Sequence, residues 1–129
     1  MDTTADFLIA IKNGYLAKKS AITINASKTR MALVKILKDE GFIEDYQVTE
    51  SKPVSKLTIN LRYFEKNLPA IANLKKVSKP SVRIYKGYNK VPLTLSGAGL
   101  TIISTSEGLM SGRDARKKHL GGEVICQIW

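Results

Sequence analysis

The sequence predicts an α+β fold: an αβαββ unit first, then a second half that is mainly β with one short helix. Three observations carry that expectation. Apolar residues recur at helical spacing in two early segments. Leu57, Ile59, Leu61 and Tyr63 alternate with Thr58, Asn60 and Arg62, the mark of a half-buried strand. Beyond position 72 the chain breaks into short runs punctuated by glycine and proline, with room for only one brief helix.

The elements follow in order. From Thr4 to about Lys19, Phe7, Leu8, Ile11 and Tyr15 give one apolar helical face, and Asp2, Thr3 or Thr4 can cap its start. Asn13-Gly14 weakens this helix, because glycine costs about 1 kcal/mol against alanine in a helix interior, so an end or bend is expected there. Ala21 to Asn25 alternates as a short strand. Ser27 can cap a second helix whose face is Met31, Leu33, Val34 and Leu37, and Gly41 is placed to end it. Phe42 to Glu50 reads as a strand, Ser51-Lys52-Pro53 as a turn, and the alternating run 57–63 closes the unit. Glu65 to about Ala72, with Pro69 inside, reads as a linker, which sets the expected domains at 1–66 and 67–129.

In the second part, Val82 and Ile84 alternate with Arg83 and Tyr85 in a strand, and Gly87-Tyr88-Asn89 is a turn. Pro92 limits any helix that follows. Gly97-Ala98-Gly99 leads into a strand from Leu100 to about Thr105. Ser111 can cap the short charged helix GRDARKKHL, stopped by Gly121-Gly122. Val124, Cys126 and Ile128 alternate in a last strand.

A chain of 129 residues that is 43% apolar can bury a real core and is not disordered. No apolar run approaches the ~20 residues that a membrane helix needs. A single cysteine, Cys126, allows no internal disulfide. The opening MDTTADFLIAIKNG has neither a basic leader nor a small-residue cleavage site, so an intracellular protein is expected. The net charge of +10 is uneven. Residues 1–66 hold 11 Lys/Arg against 8 Asp/Glu, and residues 67–129 hold 10 against 3. A field of that sign favours a polyanionic partner, nucleic acid before membrane. No basic amphipathic helix with a broad apolar face supports membrane binding.

Enzyme signatures are missing. His119 is the sole histidine and sits in a basic helix, and nothing in the sequence brings a carboxylate to it to orient it for catalysis. There is no G-x-S-x-G elbow, and Gly97-Ala98-Gly99 precedes a strand where a dinucleotide loop would follow one. One Cys, one His and three acids in the second part are a poor ligand set for a metal. No cofactor is expected, and Cys126 reads as a small apolar core residue.

Binding features are more informative. Ser27 is followed by Lys28 and Arg30, and Ser111 by Arg113 and Arg116 with Asp114 between them. Cations at a helix start oppose the helix dipole by roughly 0.3–1 kcal/mol each at the surface, and a docked phosphate reverses the sign. Arg83-Ile84-Tyr85-Lys86 interleaves cations with an aromatic ring, the mixture that pairs phosphates and stacks on bases. Leu100 to Gly112 reads LTIISTSEGLMSG. A strand of large apolar residues ends in three consecutive hydroxyls, more than capping the next helix requires. Ser104, Thr105 and Ser106 are short donors and acceptors on rigid stems, and Gly108 beside them has no side chain to block close approach.

SKPSVRIYK (78–86), GAGLTIISTSEGLMS (97–111), the basic stretch 113–118 and GGEVIC (121–126), with ADFLIAIKNG (5–14), ASKTR (26–30) and LKDEGFIEDY (37–46) before them, resemble the bacterial form of ribosomal small-subunit protein eight. The likeness runs through nearly the whole chain. It implies two small packed domains, the second mainly antiparallel β. It implies direct binding to a helix in the central domain of small-subunit ribosomal RNA, early entry into subunit assembly in the cytoplasm, contact with neighbouring small-subunit proteins and, in some members, repression of the protein's own operon messenger. It assigns the main specific contact to Ser104, Thr105, Ser106 and Gly108. Backbone contacts fall to Lys12 and Asn13, and further contacts to Lys28, Arg30, Tyr85 and Lys86; Glu123 stands near the hydroxyls as an orienting carboxylate. Three positions depart from the pattern: Ser81 for a usual Gly, Glu107 for a common Lys, and Gly14 for a typical Ala. The expectation is a non-catalytic RNA-binding protein of the small ribosomal subunit, against a free-standing RNA-binding regulator of the same fold.

Overall fold

The computed structural model describes residues 3–78, 84–88 and 99–129. It is α+β, and its contacts divide the chain between Ile71 and Ala72. Asp2, Val82, Arg83, Asn89, Pro92 and the Gly97-Ala98 pair, all singled out above, lie outside the described residues, as does Ser81.

The first unit carries two helices on a three-stranded antiparallel sheet. Helix α1 spans Thr3–Leu16 and α2 spans Lys28–Asp39; strands β1 (Ala21–Asn25), β2 (Ile43–Thr49) and β3 (Lys56–Leu61) lie in the order β1-β3-β2. The alternation decides the faces. Leu57, Ile59 and Leu61 of β3 are buried with Phe7, Ile11, Leu33, Val34 and Leu37 from the helices. Burying each such side chain contributes about 1.5–3 kcal/mol. On the outer face Thr23 and Thr58 pair across the strands with hydroxyls 3.2 Å apart.

Helix α1 does not end at Gly14. It continues to Leu16, because Gly14 is a contact point: a Cβ there would stand 2.7 Å from Ile22 Cγ2 and 3.0 Å from Leu61 Cδ1. Close approach of the helix to the sheet outweighs the propensity cost. The stretch read as a linker is also ordered. Tyr63–Phe64 (β4) and Leu68–Pro69 (β5) form a small hairpin, with Lys66 and Asn67 at positive φ in its turn. Its polar tip and Pro69 hide the pairing from pattern reading.

The second unit is a sheet built around β10 (Gly122–Ile128). One side of β10 pairs with β8 (Leu100–Thr105), which pairs onward with β9 (Gly108–Ser111). The other side pairs with β6 (Leu74–Lys76) at one end and β7 (Tyr85–Lys86) at the other. Helix α3, Gly112–Lys117, covers one face through Ala115, packed with Ile103, Met110 and Leu120. The alternating faces of β8 are both apolar, and Leu100, Ile102 and Ile103 are all buried. A bulge at Ile125 shifts the register between Val124 and Cys126. Strands β6 and β9 went unread because three or four residues are too few to show a period.

Candidate nucleic-acid interface

The hydroxyl string forms the tip of a hairpin. Thr105 pairs with Gly108, leaving Ser106 and Glu107 as a two-residue turn between β8 and β9. Positive φ falls on Gly108, at +107°, and on neither turn residue. A Cβ on Gly108 would meet nothing within 4 Å, so conformation rather than space calls for glycine there. Thr105 closes the turn: its hydroxyl donates to the Gly108 carbonyl at 2.9 Å and accepts from the Glu107 N–H at 3.1 Å. The donor of that hydroxyl is therefore used within the turn. Ser106 stands exposed at the tip, and Ser104 is half-buried on the strand behind it.

Across the sheet the register aligns Tyr85 with Glu123, Glu123 with Ser104, and Ser104 with Leu109. Directly paired residues share a face, so a ring, a carboxylate and a hydroxyl stand in one row. Tyr85 is 65% exposed. Buried Ser78 fixes the chain there, donating to the Val124 carbonyl at 2.7 Å and accepting from the Ile84 N–H at 2.9 Å. Gly122, one residue before Glu123, lies tight against β8: a Cβ would collide with the Ser104 carbonyl oxygen. Lys86, paired with Gly122, is exposed.

Helix α3 starts as expected, with Ser111 accepting from the Asp114 N–H at 3.1 Å. It is only six residues long, so Arg116 falls in its last turn beside Lys117, where the helix dipole favours cations. The expected electrostatic strain at Arg116 is thus removed by helix length, while exposed Arg113 keeps its place in the first turn with Asp114. The helix ends in a Schellman pattern: Leu120 N–H bonds to the Ala115 carbonyl at 2.8 Å and His119 N–H to Arg116 at 3.2 Å. His119 takes the left-handed position, φ 58°, that glycine usually fills. Its ring stacks on Tyr88, centroids 4.7 Å apart and planes 17° from parallel. Lys118 Nζ lies 3.9 Å from the Glu107 carboxylate, both well exposed, so the odd acid of the turn is turned toward a cation of α3. Sequence reasoning missed the Tyr88–His119 pair, since 31 residues separate two rings that only the fold brings together.

The first unit carries its own cationic cluster. Ser27 caps α2 by accepting from the Arg30 N–H at 3.1 Å, and no acid occupies the first turn. Arg30 Nη1 donates to the Asn25 carbonyl at 2.9 Å, while its Nε is buried with no hydrogen-bond partner among the described residues. Lys56, paired with Asn25 in the sheet, donates to Asn25 Oδ1 at 2.6 Å. Lys56 was missed because it falls on the polar phase of an otherwise ordinary alternation. Lys28 is exposed. On α1, Lys12 and Asn13 are exposed with Ile9 and Leu16, at spacings of three and four, on the side away from buried Phe7, Ile11 and Tyr15.

Among the described residues no group of three His, Cys, Asp or Glu side chains could hold a metal ion, and no helix is long and apolar enough to cross a membrane. Burial pushes the Cys126 thiol up to about 12, which makes it a poor nucleophile at neutral pH. The chemistry available at the surface is hydrogen bonding, stacking and cationic attraction.

The family model described as Ribosomal protein S8 matches residues 2–129. The chain is 43% identical to the small ribosomal subunit protein uS8 of Roseiflexus castenholzii, over 99% of this chain and 97% of that one. It is 42% identical to the uS8 of Hydrogenovibrio crunogenus over 98% and 96%, and 44% identical to that of Sorangium cellulosum over 99% and 98%.

Proposed function

Because the chain belongs to the ribosomal protein S8 family, whose members are structural ribosomal proteins and not enzymes, we propose that it binds the central domain of small-subunit ribosomal RNA directly and supports assembly of the subunit. The observation that carries this reading is the β8–β9 turn. It offers an exposed neutral hydroxyl on a tip whose shape is fixed by internal hydrogen bonds.

The mechanism has two parts. Lys12, Lys28, Arg30 and Lys56 on the first unit, and Arg83, Lys86, Arg113 and Arg116 on the second, attract the phosphate backbone. This attraction is long-ranged, salt-sensitive and nearly blind to sequence. Asn13 adds a hydrogen bond beside Lys12. Recognition falls to the turn. An undistorted RNA helix hides its base edges in a deep groove, so the turn reads a place where the helix is irregular. Ser106 and Ser104 bond to exposed base edges or 2′-hydroxyls, Thr105 and Gly108 hold the turn that presents them, Tyr85 stacks, and Glu123 orients a donor in the same row. A messenger hairpin of similar shape suits the same surface, which gives the protein a route to repress its own operon. Within the subunit its further partners are neighbouring small-subunit proteins.

The test is a pair of transcribed RNAs of equal length, one carrying the irregular central-domain helix and one made fully complementary. At moderate salt the protein is expected to bind the first more tightly. Equal affinities would leave only charge, and would remove the turn from recognition.

A further inference from the structure

Resting on the RNA-binding reading above, we propose that the stacked rings of Tyr88 and His119 form a second contact, a platform on which one unpaired nucleobase stacks beside the β8–β9 turn.

The two rings lie nearly parallel, each covering one face of the other. Tyr88 is nevertheless 39% exposed and His119 is exposed as well, so the pair keeps surface open to solvent. A third flat ring extends a stacked pair of this kind. The backbone builds the platform deliberately close. A Cβ on Gly121 would stand 2.6 Å from the Lys86 carbonyl oxygen and 2.8 Å from Gly87 Cα. Only glycine at 121 lets the segment bearing Tyr88 run against the end of α3. His119 meanwhile occupies a left-handed position where a side chain is disfavoured, and its ring is what the position presents to Tyr88.

The chemistry around the rings names the ligand. Lys86 precedes Tyr88 by two residues, and Lys117 and Lys118 precede His119; all three are exposed. Planar rings set among cations fit a polyanion that carries planar rings of its own, and stacking of this kind tolerates any base. The backbone links the rings to the turn: Gly121 lies against Gly87 and Tyr88, and the next residue, Gly122, against Ser104 and Thr105. A peptide partner would use the apolar ring faces but not the lysines that neighbour them in sequence.

The experiment measures affinity of the full chain for the irregular central-domain RNA, with variants His119→Gly, Tyr88→Leu and Tyr88→Phe, and maps ultraviolet crosslinks by mass spectrometry. His119→Gly removes a ring and relaxes the backbone, so its fold is retained and a thermal melt verifies it. His119→Gly and Tyr88→Leu are expected to weaken binding roughly 5- to 100-fold, the range of one lost base stack, while Tyr88→Phe binds like the parent. A nucleotide adduct is expected on Tyr88 or His119. If His119→Gly binds as tightly as the parent and neither ring crosslinks, the rings are an internal brace and the platform is refuted. A parent protein that does not prefer this RNA at all would instead overturn the function proposed above.

Discussion

At the start of α2, Lys28 projects into solvent, while Arg30 and Lys56 converge on Asn25 through hydrogen bonds of 2.9 and 2.6 Å. At the β8–β9 turn the residues at the tip are an uncharged serine and a glutamate 3.9 Å from a lysine, and the Thr105 hydroxyl makes two internal hydrogen bonds across it. The first region is rich in charge and poor in shape. The second contributes almost no net charge, yet its geometry is fixed by one side chain and one glycine. The contrast teaches that attraction and discrimination are separate properties, built from different residues on different elements. A phosphate backbone is attracted by any cation within reach, whereas an irregular base needs a donor held still.

Substitutions divide along the same line. The largest effect is expected from Gly122→Ala, which drives a methyl into the Ser104 carbonyl and forces β10 from β8 beside the turn of the hairpin. A loss of roughly 3 kcal/mol or more in folding stability is expected, with loss of selective RNA binding. A denaturant melt with unchanged midpoint would show that the sheet tolerates the methyl and that β10 is not tight against β8 there. Thr105→Ala should cost less, about 1 kcal/mol of stability, since the turn is solvent-accessible. It should weaken binding to the irregular RNA while sparing the fully paired one, and Thr105→Ser should restore both. Equal losses on the two RNAs would mean that the turn serves folding alone. Lys28→Ala is the smallest of the three. It should weaken both RNAs alike and lower the slope of log affinity against log salt by about one unit. A change confined to one RNA would move Lys28 from the attracting class to the discriminating one.

The same two regions differ in how far the sequence reveals them. Ser27 as a cap, Gly41 as a stop and the alternation of β3 all appear where local pattern places them, because each rests on neighbours in sequence. The α2 cations were legible for the same reason. The hydroxyl string was legible as a surplus, but its role as a two-residue turn depends on β9, whose four residues become a strand only through pairing with β8. Gly14 misled because its reason lies across the sheet in Ile22 and Leu61. Nothing local in the sequence says that the Thr105 hydroxyl already bonds within the turn. Lys66 and Asn67 turn a hairpin at positive φ without a glycine to announce it. The Tyr88–His119 stack has no local signal at all. What sequence conveys least is which of several similar side chains is already satisfied within the fold.

The central claim is that an uncharged hydroxyl at the tip, and not the surrounding lysines, selects the RNA. It is tested most directly by the ratio of Ser106→Ala affinities for the irregular and the fully paired helix, measured side by side with the parent protein. The account predicts a loss of about 1–3 kcal/mol on the irregular helix and almost none on the paired one, so that the ratio collapses. A ratio that stays at the parent value would contradict it.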